Sequence, residues 1–281
     1  MLKSDLERHG ITLPPDRLAL MEGYLDSLRR YNRVMDLTNV PEADWAERHI
    51  ADSLKPLALA GVPLSGRWAD VGTGAGFPGL PIAIAWPDIR MTLLDAQKKR
   101  CDFLTETIGA LKIGNCEVIC GRAEDLGRSP SARGQFDTAV TRAVAGTNVL
   151  AEYLLPLLKA GGAALCWKGP KGEEEVPDGD AAAALMGGSP WQVIYVPGFP
   201  EKRLLLRCVK TGETPDQYPR RNGVPAKRPV AAAASAVNPP RMAVDGNASG
   251  KRDSGIFVQA NTSFDHLKVL MSKALVPLAS E

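Results

Sequence analysis

Four glycines fall within residues 72–79, directly after an apolar stretch. A strand, this glycine loop and a helix from about Pro78 place free backbone N–H groups and a helix N-terminus at one edge of a sheet, where polar or anionic ligand groups bind. Dinucleotide-binding loops have the order G-x-G-x-x-G, whereas here Gly76 comes one residue early after Gly72 and Gly74. The spacing therefore favours a ligand without phosphates, and the alternative is a tight turn that binds nothing.

Two further predicted strands end beside acidic residues. Asp95 ends the second strand, 23 residues after Gly72, where a carboxylate can accept hydrogen bonds from both hydroxyls of a ribose. The third strand is followed by Ala123 and Glu124, where a doubly wound sheet contacts an adenine ring. The alternatives are a helix N-cap for Asp95 and a solvated turn for the acidic pair Glu124 and Asp125. Together with the glycine loop, these positions predict an S-adenosylmethionine (AdoMet) pocket.

The elements that position these residues follow from a change in hydrophobic period. Between residues 15 and 59, apolar positions recur every three or four residues, which predicts two helices, one from Pro15 and one opened by Pro41. Strand-like segments then alternate with helical ones, which predicts βαβ units and a parallel sheet. The strand-like segments are 68–71, 91–94, 117–120, 138–141, 163–167, 192–196 and 204–209. The last two predict an antiparallel edge hairpin, because a parallel return needs a crossover of about a dozen residues.

Length and composition set the domain organisation. With 281 residues, 44% of them hydrophobic and 23% charged, the chain can bury one substantial core. We expect a helical N-terminal extension over residues 1–62 and an α/β domain over residues 63–230. Residues 231–281 contain few large apolar side chains, and we expect a disordered tail there.

The composition also argues against several classes of protein. The five cysteines are scattered without a CxxC pair, which predicts reduced thiols and no zinc site or other metal centre. The N-terminus carries early acidic residues and has no apolar segment typical of a secretory signal. Apolar runs are shorter than the roughly 18 residues of a membrane span. We therefore expect a cytoplasmic protein that does not enter a membrane.

Several motifs occur in the order typical of one family. They are DLTNV, RHIADSL, DVGTGAGFPGLP, TLLDAQKKRCDFL, GRAED, FDTAVTRA, ALCWKG and YPRRNGVPAKRP, within residues 15–230. By these motifs the chain resembles the bacterial small-subunit ribosomal RNA methyltransferases of the glucose-inhibited division protein B type. The resemblance implies a Rossmann-like class I AdoMet-dependent methyltransferase fold, with a seven-stranded, mostly parallel sheet, an antiparallel edge hairpin and an N-terminal helical extension. It also implies methylation of guanine N7 in 16S ribosomal RNA, with AdoMet as cofactor and small-subunit RNA or an assembling 30S subunit as partner.

The resemblance carries the family's cofactor contacts to Gly72, Phe77, Ala123, Glu124 and Arg142. Gly74 of the loop and the ribose ligand Asp95 complete the predicted cofactor-binding set. Arg142, at the carboxyl end of the fourth strand, is the candidate catalytic residue, and its alternative is a surface ion pair. For Phe77 the alternative is that it only closes the first helix of the domain. Ala96 is a departure from the family, because relatives frequently have serine there.

The implied chemistry is consistent with the motifs that the chain does not have. Guanine N7 carries a lone pair at neutral pH, so methyl transfer requires in-line positioning in a dry pocket and no general base. Methylation of an adenine amino group would predict Asn or Asp before Pro-Pro and an aromatic residue after the fourth strand, where the chain has Thr141, Arg142 and Ala143. Methylation of cytosine C5 would need a nucleophilic cysteine, and Cys166 falls inside the fifth strand.

Basic residues mark candidate RNA contacts. Lys168, Arg220 and Arg221 are predicted to bind RNA phosphates, and the alternative for each is a solvated surface. His49 and Asp52 either face the pocket or cap the helical layer. We expect a monomer. The rival functions are a methyltransferase that acts on a small molecule or a protein, and an RNA-binding protein that keeps the fold without catalysis.

Overall fold

A seven-stranded sheet organises residues 2–230, the part of the chain that the computed structural model describes. The strands are β1 (Gly66–Val71), β2 (Ile89–Asp95), β3 (Cys116–Cys120), β4 (Phe136–Arg142), β5 (Leu158–Lys168), β6 (Gln192–Val196) and β7 (Arg203–Val209). Their order is β3-β2-β1-β4-β5-β7-β6. The first five strands in this order are parallel, and β7 pairs antiparallel with both β5 and β6. The predicted parallel sheet with an antiparallel edge hairpin is therefore confirmed.

Helices cover both faces of the sheet, so the central strands are nearly continuous apolar runs. The helices are α1 (Leu2–Arg8), α2 (Pro15–Met35), α3 (Asp52–Leu54), α4 (Leu57–Ala60), α5 (Gly79–Ala85), α6 (Lys98–Leu111), α7 (Ala123–Arg128), α8 (Thr147–Leu154), α9 (Val176–Leu185) and α10 (Val224–Lys227). In α2 the buried positions Met21, Tyr24, Leu25 and Leu28 follow the spacing of three and four residues that predicted it. No helix within residues 2–230 is both long and apolar enough to cross a bilayer.

The second N-terminal helix differs from the prediction of one continuous helix. It consists of a 3₁₀ turn (Glu42–Asp44), a π-helical segment (Ala46–Ala51), α3 and α4. Pro56 has no backbone N–H to continue the helical hydrogen bonds, and α4 starts directly after it. The broken helix turns residues 48–52 towards the strand ends of the sheet, where their side chains meet β4.

Two other parts of the chain complete the comparison with the predictions. Helix α1 was not predicted, because its seven residues bury only Leu2 and Leu6 and so carry almost no periodic signal. The prediction of a disordered tail over residues 231–281 lies outside the described residues.

The strand order changes direction between β1 and β4. In such a sheet the loops after β1 and β4 leave the carboxyl edge towards opposite faces, which opens a crevice for a ligand. The glycine loop follows β1, Asp95 ends β2, and Arg142 ends β4. The fold therefore brings the predicted site residues to one edge.

Candidate active site

The glycine loop after β1 has a backbone that side chains rarely allow. Gly72, Gly74 and Gly76 have φ values of 72°, 60° and 108°, in the left-handed region that favours glycine. A Cβ atom on Gly74 would have no other atom within 4 Å, so this glycine faces open space. A Cβ on Gly72 would collide with the side chain of Val144. Val144 therefore lies over the first glycine of the loop, while Gly74 leaves open space beside the backbone.

Two buried carboxylates hold this loop in place. Asp70 at the end of β1 accepts hydrogen bonds from Thr73 Oγ1 at 2.7 Å and from the Gly79 N–H at 2.8 Å. Asp95 Oδ2 accepts a hydrogen bond from the Gly74 N–H at 3.0 Å. Burial raises the pKa of Asp70 to about 6, although the hydrogen bonds from Thr73 and Gly79 act in the opposite direction. The conformation of the loop is therefore set by charges that the core encloses.

Asp95 accepts hydrogen bonds from two backbone N–H groups, and its role as a ribose ligand remains a prediction. Its Oδ1 atom accepts a hydrogen bond from the backbone N–H of Gln97 at 2.8 Å, at the start of α6, while Oδ2 turns to the glycine loop. Arg100 Nη1 lies 3.5 Å from Oδ2. Because a carboxylate offers about four lone-pair sites, these contacts leave room for further donors from a ligand.

A crevice of about 100 Å³ lies between the ends of β1, β2 and β3. Four predicted residues line it: Gly72, Asp95, Ala123 and Glu124. Both acidic residues lie in the first turn of α7, where Glu124 is only 2% exposed and Asp125 beside it is exposed, so the alternative of a solvated turn is wrong.

Sequence reasoning missed two residues that line this crevice, Val144 and Tyr153. Val144 follows Ala143, a non-glycine residue with a φ of 57°, and this left-handed turn directs the chain back over the glycine loop. Because Val144 follows Arg142 by only two residues at the carboxyl end of β4, its place at the crevice could have been predicted from the sequence. Tyr153 comes from α8, and nothing in its local sequence indicates that it reaches the crevice.

Arg142 and Phe77 meet beside the crevice with a residue of the N-terminal layer. The Arg142 guanidinium carbon lies 5.0 Å from the centre of the Phe77 ring, in cation–π geometry. The His49 ring stacks on Phe77 at 4.2 Å between centroids. Arg142 Nη2 donates to His49 Nδ1 at 3.2 Å, which leaves the proton on Nε2 to be donated to Thr38 Oγ1 at 2.8 Å. Burial, and next the charge of Arg142, lowers the pKa of His49 to about 3.

Asp52 anchors the arginine that ends β4. Arg142 Nη1 donates to Asp52 Oδ2 at 3.1 Å, and Arg203 Nε of β7 lies 3.2 Å from Asp52 Oδ1. The indole N–H of Trp167 donates to the backbone oxygen of Asp52 at 2.7 Å. Burial raises the pKa of Asp52, and the two guanidinium groups oppose that shift. His49 and Asp52 therefore belong to the helical layer and contact Arg142, and neither is among the residues that line the crevice.

Helix α2 also contacts the glycine loop. The hydroxyl of Tyr24, which is fully buried, donates to the backbone oxygen of Ala75 at 2.7 Å. The Tyr24 ring lies 5.5 Å from the Phe77 ring. The N-terminal layer is therefore in direct contact with the loop as well as with Arg142.

The three predicted RNA-binding residues have different surroundings. Lys168 Nζ donates to the Ala145 backbone oxygen and to Glu175, both at 2.7 Å, and its side chain is 10% exposed. Arg220 pairs with Glu152 in a bidentate ion pair. Arg221 is exposed, with no hydrogen-bond or ion-pair partner for its side chain within the described range. Of the three, only Arg221 presents its charge freely to solvent.

Residues 2–230 contain no group of three or more His, Cys, Asp or Glu side chains that could hold a metal ion. The titratable groups next to Arg142 are instead held by hydrogen bonds and ion pairs within the protein.

Comparison with known proteins gives consistent matches. Residues 17–202 match the model of the GidB family, described as rRNA small subunit methyltransferase G. A ribosomal RNA small subunit methyltransferase G of Moorella thermoacetica is 40% identical over 225 residues, 79% of this chain and 93% of that protein. The protein of the same name from Alkaliphilus oremlandii is 40% identical over 233 residues, 82% of this chain and 98% of that protein. A solved structure, M. jannaschii TYW2 in complex with AdoMet, covers 55% of this chain and 72% of its own, with 14% identity and a TM-score of 0.41.

The buried Asp70 predicts a specific dependence of stability on pH. Its pKa in the folded protein, about 6, lies above its ordinary value of 3.8, so the folded state retains this proton to a higher pH than the unfolded state. The contribution of Asp70 to stability therefore falls as the pH rises through this interval. An Asp70→Asn variant keeps an acceptor for Thr73 and Gly79 without the charge. We expect its free energy of unfolding, relative to the wild type, to increase by about 1 kcal/mol between pH 5 and pH 8.

Urea unfolding of both proteins at the two pH values measures this difference, and the contributions of all other titrating groups cancel. If the difference in the free energy of unfolding between the two proteins is the same at pH 5 and pH 8, the raised pKa of the buried Asp70 is wrong.

Proposed function

This chain belongs to the GidB family of rRNA small subunit methyltransferases, and we propose that it methylates N7 of a guanine in small-subunit ribosomal RNA. The family uses AdoMet, which supplies an electrophilic methyl group on a positively charged sulfur. The proposal for N7 depends on one observation, the inability of the side chains around Arg142 to act as a general base.

The residues of the crevice suit AdoMet. The bare loop at Gly72 and Gly74 accommodates a ligand that approaches the main chain closely, and the carboxylate of Asp95 suits ribose hydroxyls. Ala123 and Glu124, at the start of α7, suit the adenine ring and its amino group. The crevice of about 100 Å³ is smaller than the roughly 300 Å³ of typical small-molecule sites. We therefore expect the exposed side chain of Val144 to move aside when the cofactor binds.

Arg142 is our candidate for the catalytic residue, in contact with the guanine or the cofactor. A guanidinium group can donate to O6 of guanine and leave the lone pair of N7 free for the methyl group, and its stack on Phe77 fixes its plane. Asp52 and His49 hold it from the side of the N-terminal layer. We propose that residues 1–62 act as an extension of the methyltransferase domain, because Tyr24 and Asp52 belong to it and orient the parts of the site.

The protonation states around Arg142 favour a target atom that needs no deprotonation. A histidine with a pKa of about 3 is a very weak base at neutral pH, so His49 is unsuited to remove a proton. The oxygens of Asp52 are engaged by Arg142 and Arg203. Guanine N7 carries a free lone pair and loses no proton on methylation. In-line positioning by the protein is then sufficient for transfer.

Methylation of cytosine C5 fits the chain less well. That reaction needs a cysteine thiolate at the reacting base. Cys166 is fully buried within β5, and burial raises the pKa of its thiol. Its thiol is therefore neither reactive nor accessible to a base.

For the RNA side we propose that Arg221 contacts phosphate directly, because its charge is free. Lys168 and Arg220 remain predicted RNA contacts, each partly committed to a carboxylate of the protein, Glu175 or Glu152. We further propose that the protein acts in the cytoplasm, where ribosomal subunits assemble. The monomeric state remains a prediction.

Methyl transfer to small subunits tests the function directly. The purified chain, labelled AdoMet and 30S particles from a strain that lacks this methylation are expected to give 7-methylguanosine in nucleoside mass spectrometry of the extracted RNA. Label in another nucleoside would overturn the N7 assignment. Binding of the particles without any transfer of label would support the non-catalytic alternative.

A pair of glycine variants tests the cofactor loop. Gly74 and Gly61 have φ values of 60° and 62°, and a Cβ on either one meets no atom within 4 Å. Both Gly→Ala substitutions therefore carry the same backbone strain, about 1 kcal/mol. Gly61 lies at the end of α4, away from the crevice. Gly74→Ala is expected to raise the Kd for AdoMet at least about tenfold, because its methyl group enters the space assigned to the cofactor.

Calorimetric titration of both variants with AdoMet measures the effect, and thermal unfolding checks that their stabilities match. Equal affinities in the two variants would argue against the placement of the cofactor at Gly74.

A pair of arginine variants tests the role of Arg142. Arg142 and Arg203 both pair with Asp52, but only Arg142 stacks on Phe77 and donates to His49. Lysine keeps the charge and loses the planar fork. We expect Arg142→Lys to lower kcat at least about tenfold, within the range found when a donor at the reacting centre is lost. The kcat of Arg203→Lys is expected to stay within about threefold of the wild-type value. Equal losses of kcat in the two variants would mean that Arg142 acts only through its ion pair with Asp52.

A further inference from the structure

The segment after β7 crosses the outside of α7 and α8, and we call residues 214–228 the C-terminal strap. Arg133 fixes its beginning by donating to the backbone oxygens of Thr214 at 2.6 Å and Tyr218 at 2.7 Å. Arg220 fixes its middle, since the backbone N–H and Nη2 both donate to the carboxylate of Glu152 at 2.6 Å. Glu152 is 1% exposed, so this ion pair is largely withdrawn from water. The strap is therefore bound to the protein by charge-assisted hydrogen bonds.

The far end of the strap supports the wall of the cofactor crevice. The Gly223 N–H donates to Glu124 Oε1 at 2.7 Å, and Asn222 Nδ2 donates to Asp125 Oδ2 at 2.7 Å. Arg128 Nη2 donates to Asn222 Oδ1 at 3.0 Å and completes the link between α7 and the strap. Glu124 is a buried carboxylate, and such a group depends on its hydrogen-bond donors. Displacement of the strap would therefore remove support from the group that we assign to the adenine end of the cofactor.

The outer face of the same strap carries unpaired positive charge. Arg221, Lys227 and Arg228 are exposed, and within residues 2–230 their side chains have no hydrogen-bond or ion-pair partner. Arg122, which precedes α7, is also exposed and lines the crevice. Three exposed cations within eight residues suit the binding of a polyanion such as an RNA backbone, because each phosphate that they neutralise releases counterions.

We propose that the C-terminal strap links RNA binding to cofactor binding, so that each ligand increases the affinity for the other. The proposal rests on the proposed function, because it takes small-subunit RNA and AdoMet as the two ligands. Both ligands depend on the same fifteen-residue segment 214–228. The RNA contacts its outer cations, and the cofactor contacts Glu124, which accepts a hydrogen bond from Gly223 of the segment. RNA that binds the outer cations also holds Gly223 against Glu124, and a cofactor that binds at Glu124 holds the strap in the position that presents its cations. Linkage of this kind is reciprocal.

A binding cycle with the full chain tests the linkage. Equilibrium dialysis with labelled S-adenosylhomocysteine gives its Kd with and without saturating 30S particles, and filter binding gives the Kd for the particles with and without that ligand. We expect both constants to improve by the same factor, at least about fivefold, within the range of known couplings. Unequal factors, or factors of one, would overturn the linkage.

Variants assign the linkage to the strap. Two variants of Asn222 disrupt its link to α7: Asn222→Ala removes the donor, and Asn222→Asp places a second carboxylate opposite Asp125. Both are expected to reduce the coupling factor to near one, with thermal unfolding close to that of the wild type. Arg221→Ala is expected to weaken binding of the particles and leave the Kd for S-adenosylhomocysteine of the RNA-free protein unchanged. Arg90→Ala, an exposed arginine at the amino end of β2, is the matched control and should change neither constant. Undiminished coupling in both Asn222 variants would overturn the assignment to the strap.

Failure of this proposal is distinguishable from failure of the proposed function. Methylation of the particles together with a coupling factor of one would refute the linkage and leave the function intact. Binding of both ligands without methyl transfer would refute the function, and the dissociation constants would still decide the linkage.

Discussion

The glycine loop after β1 keeps its shape because two buried carboxylates accept its hydrogen bonds, and the rest of the site depends on this arrangement. Asp70 receives the N–H that begins α5 and the hydroxyl of Thr73, while Asp95 receives the N–H of Gly74 from the neighbouring strand. The left-handed Gly72 can then line the crevice with bare backbone, and Gly74 faces open space. A loop held only by its own turn would lack this fixed relation to the end of β2.

The N-terminal layer takes part in the site through buried polar contacts. Asp52 lies between Arg142 of β4 and Arg203 of β7, so it joins the parallel part of the sheet to its antiparallel edge. Removal of one partner from a buried ion pair leaves the other uncompensated, which is why such a cluster fixes one arrangement of its members. His49 stays neutral in this environment and packs against Phe77 as a flat polar ring. The N-terminal layer consequently contacts Arg142 and Phe77, two of the predicted site residues.

The basic residues near the crevice differ in whether their charge is paired. A net charge of +2 indicates no special affinity for nucleic acid. Arg142 and Arg220 are paired with the buried carboxylates of Asp52 and Glu152, whereas the side chains of Arg221, Lys227 and Arg228 on the strap are exposed and have no partner within residues 2–230. In our proposal these exposed cations meet the RNA, and their local arrangement matters more for recognition than the sum of charges.

The sequence by itself determined the sheet and four of the residues that line the crevice. Strand ends, glycine spacing and an acidic residue after each of two strands are local signals, and parallel strands necessarily bring their carboxyl ends to one edge. The same local signals predicted α2 from its period, and they missed α1, the breaks in the second N-terminal helix and the contribution of Tyr153. Only the tertiary structure decided which charges are free and which are paired. Lys168, Arg220 and Arg221 look alike in the chain, but their partners come from other elements, Glu175 for the first and Glu152 for the second. Pairing between distant segments depends on packing, and no spacing along the chain encodes it.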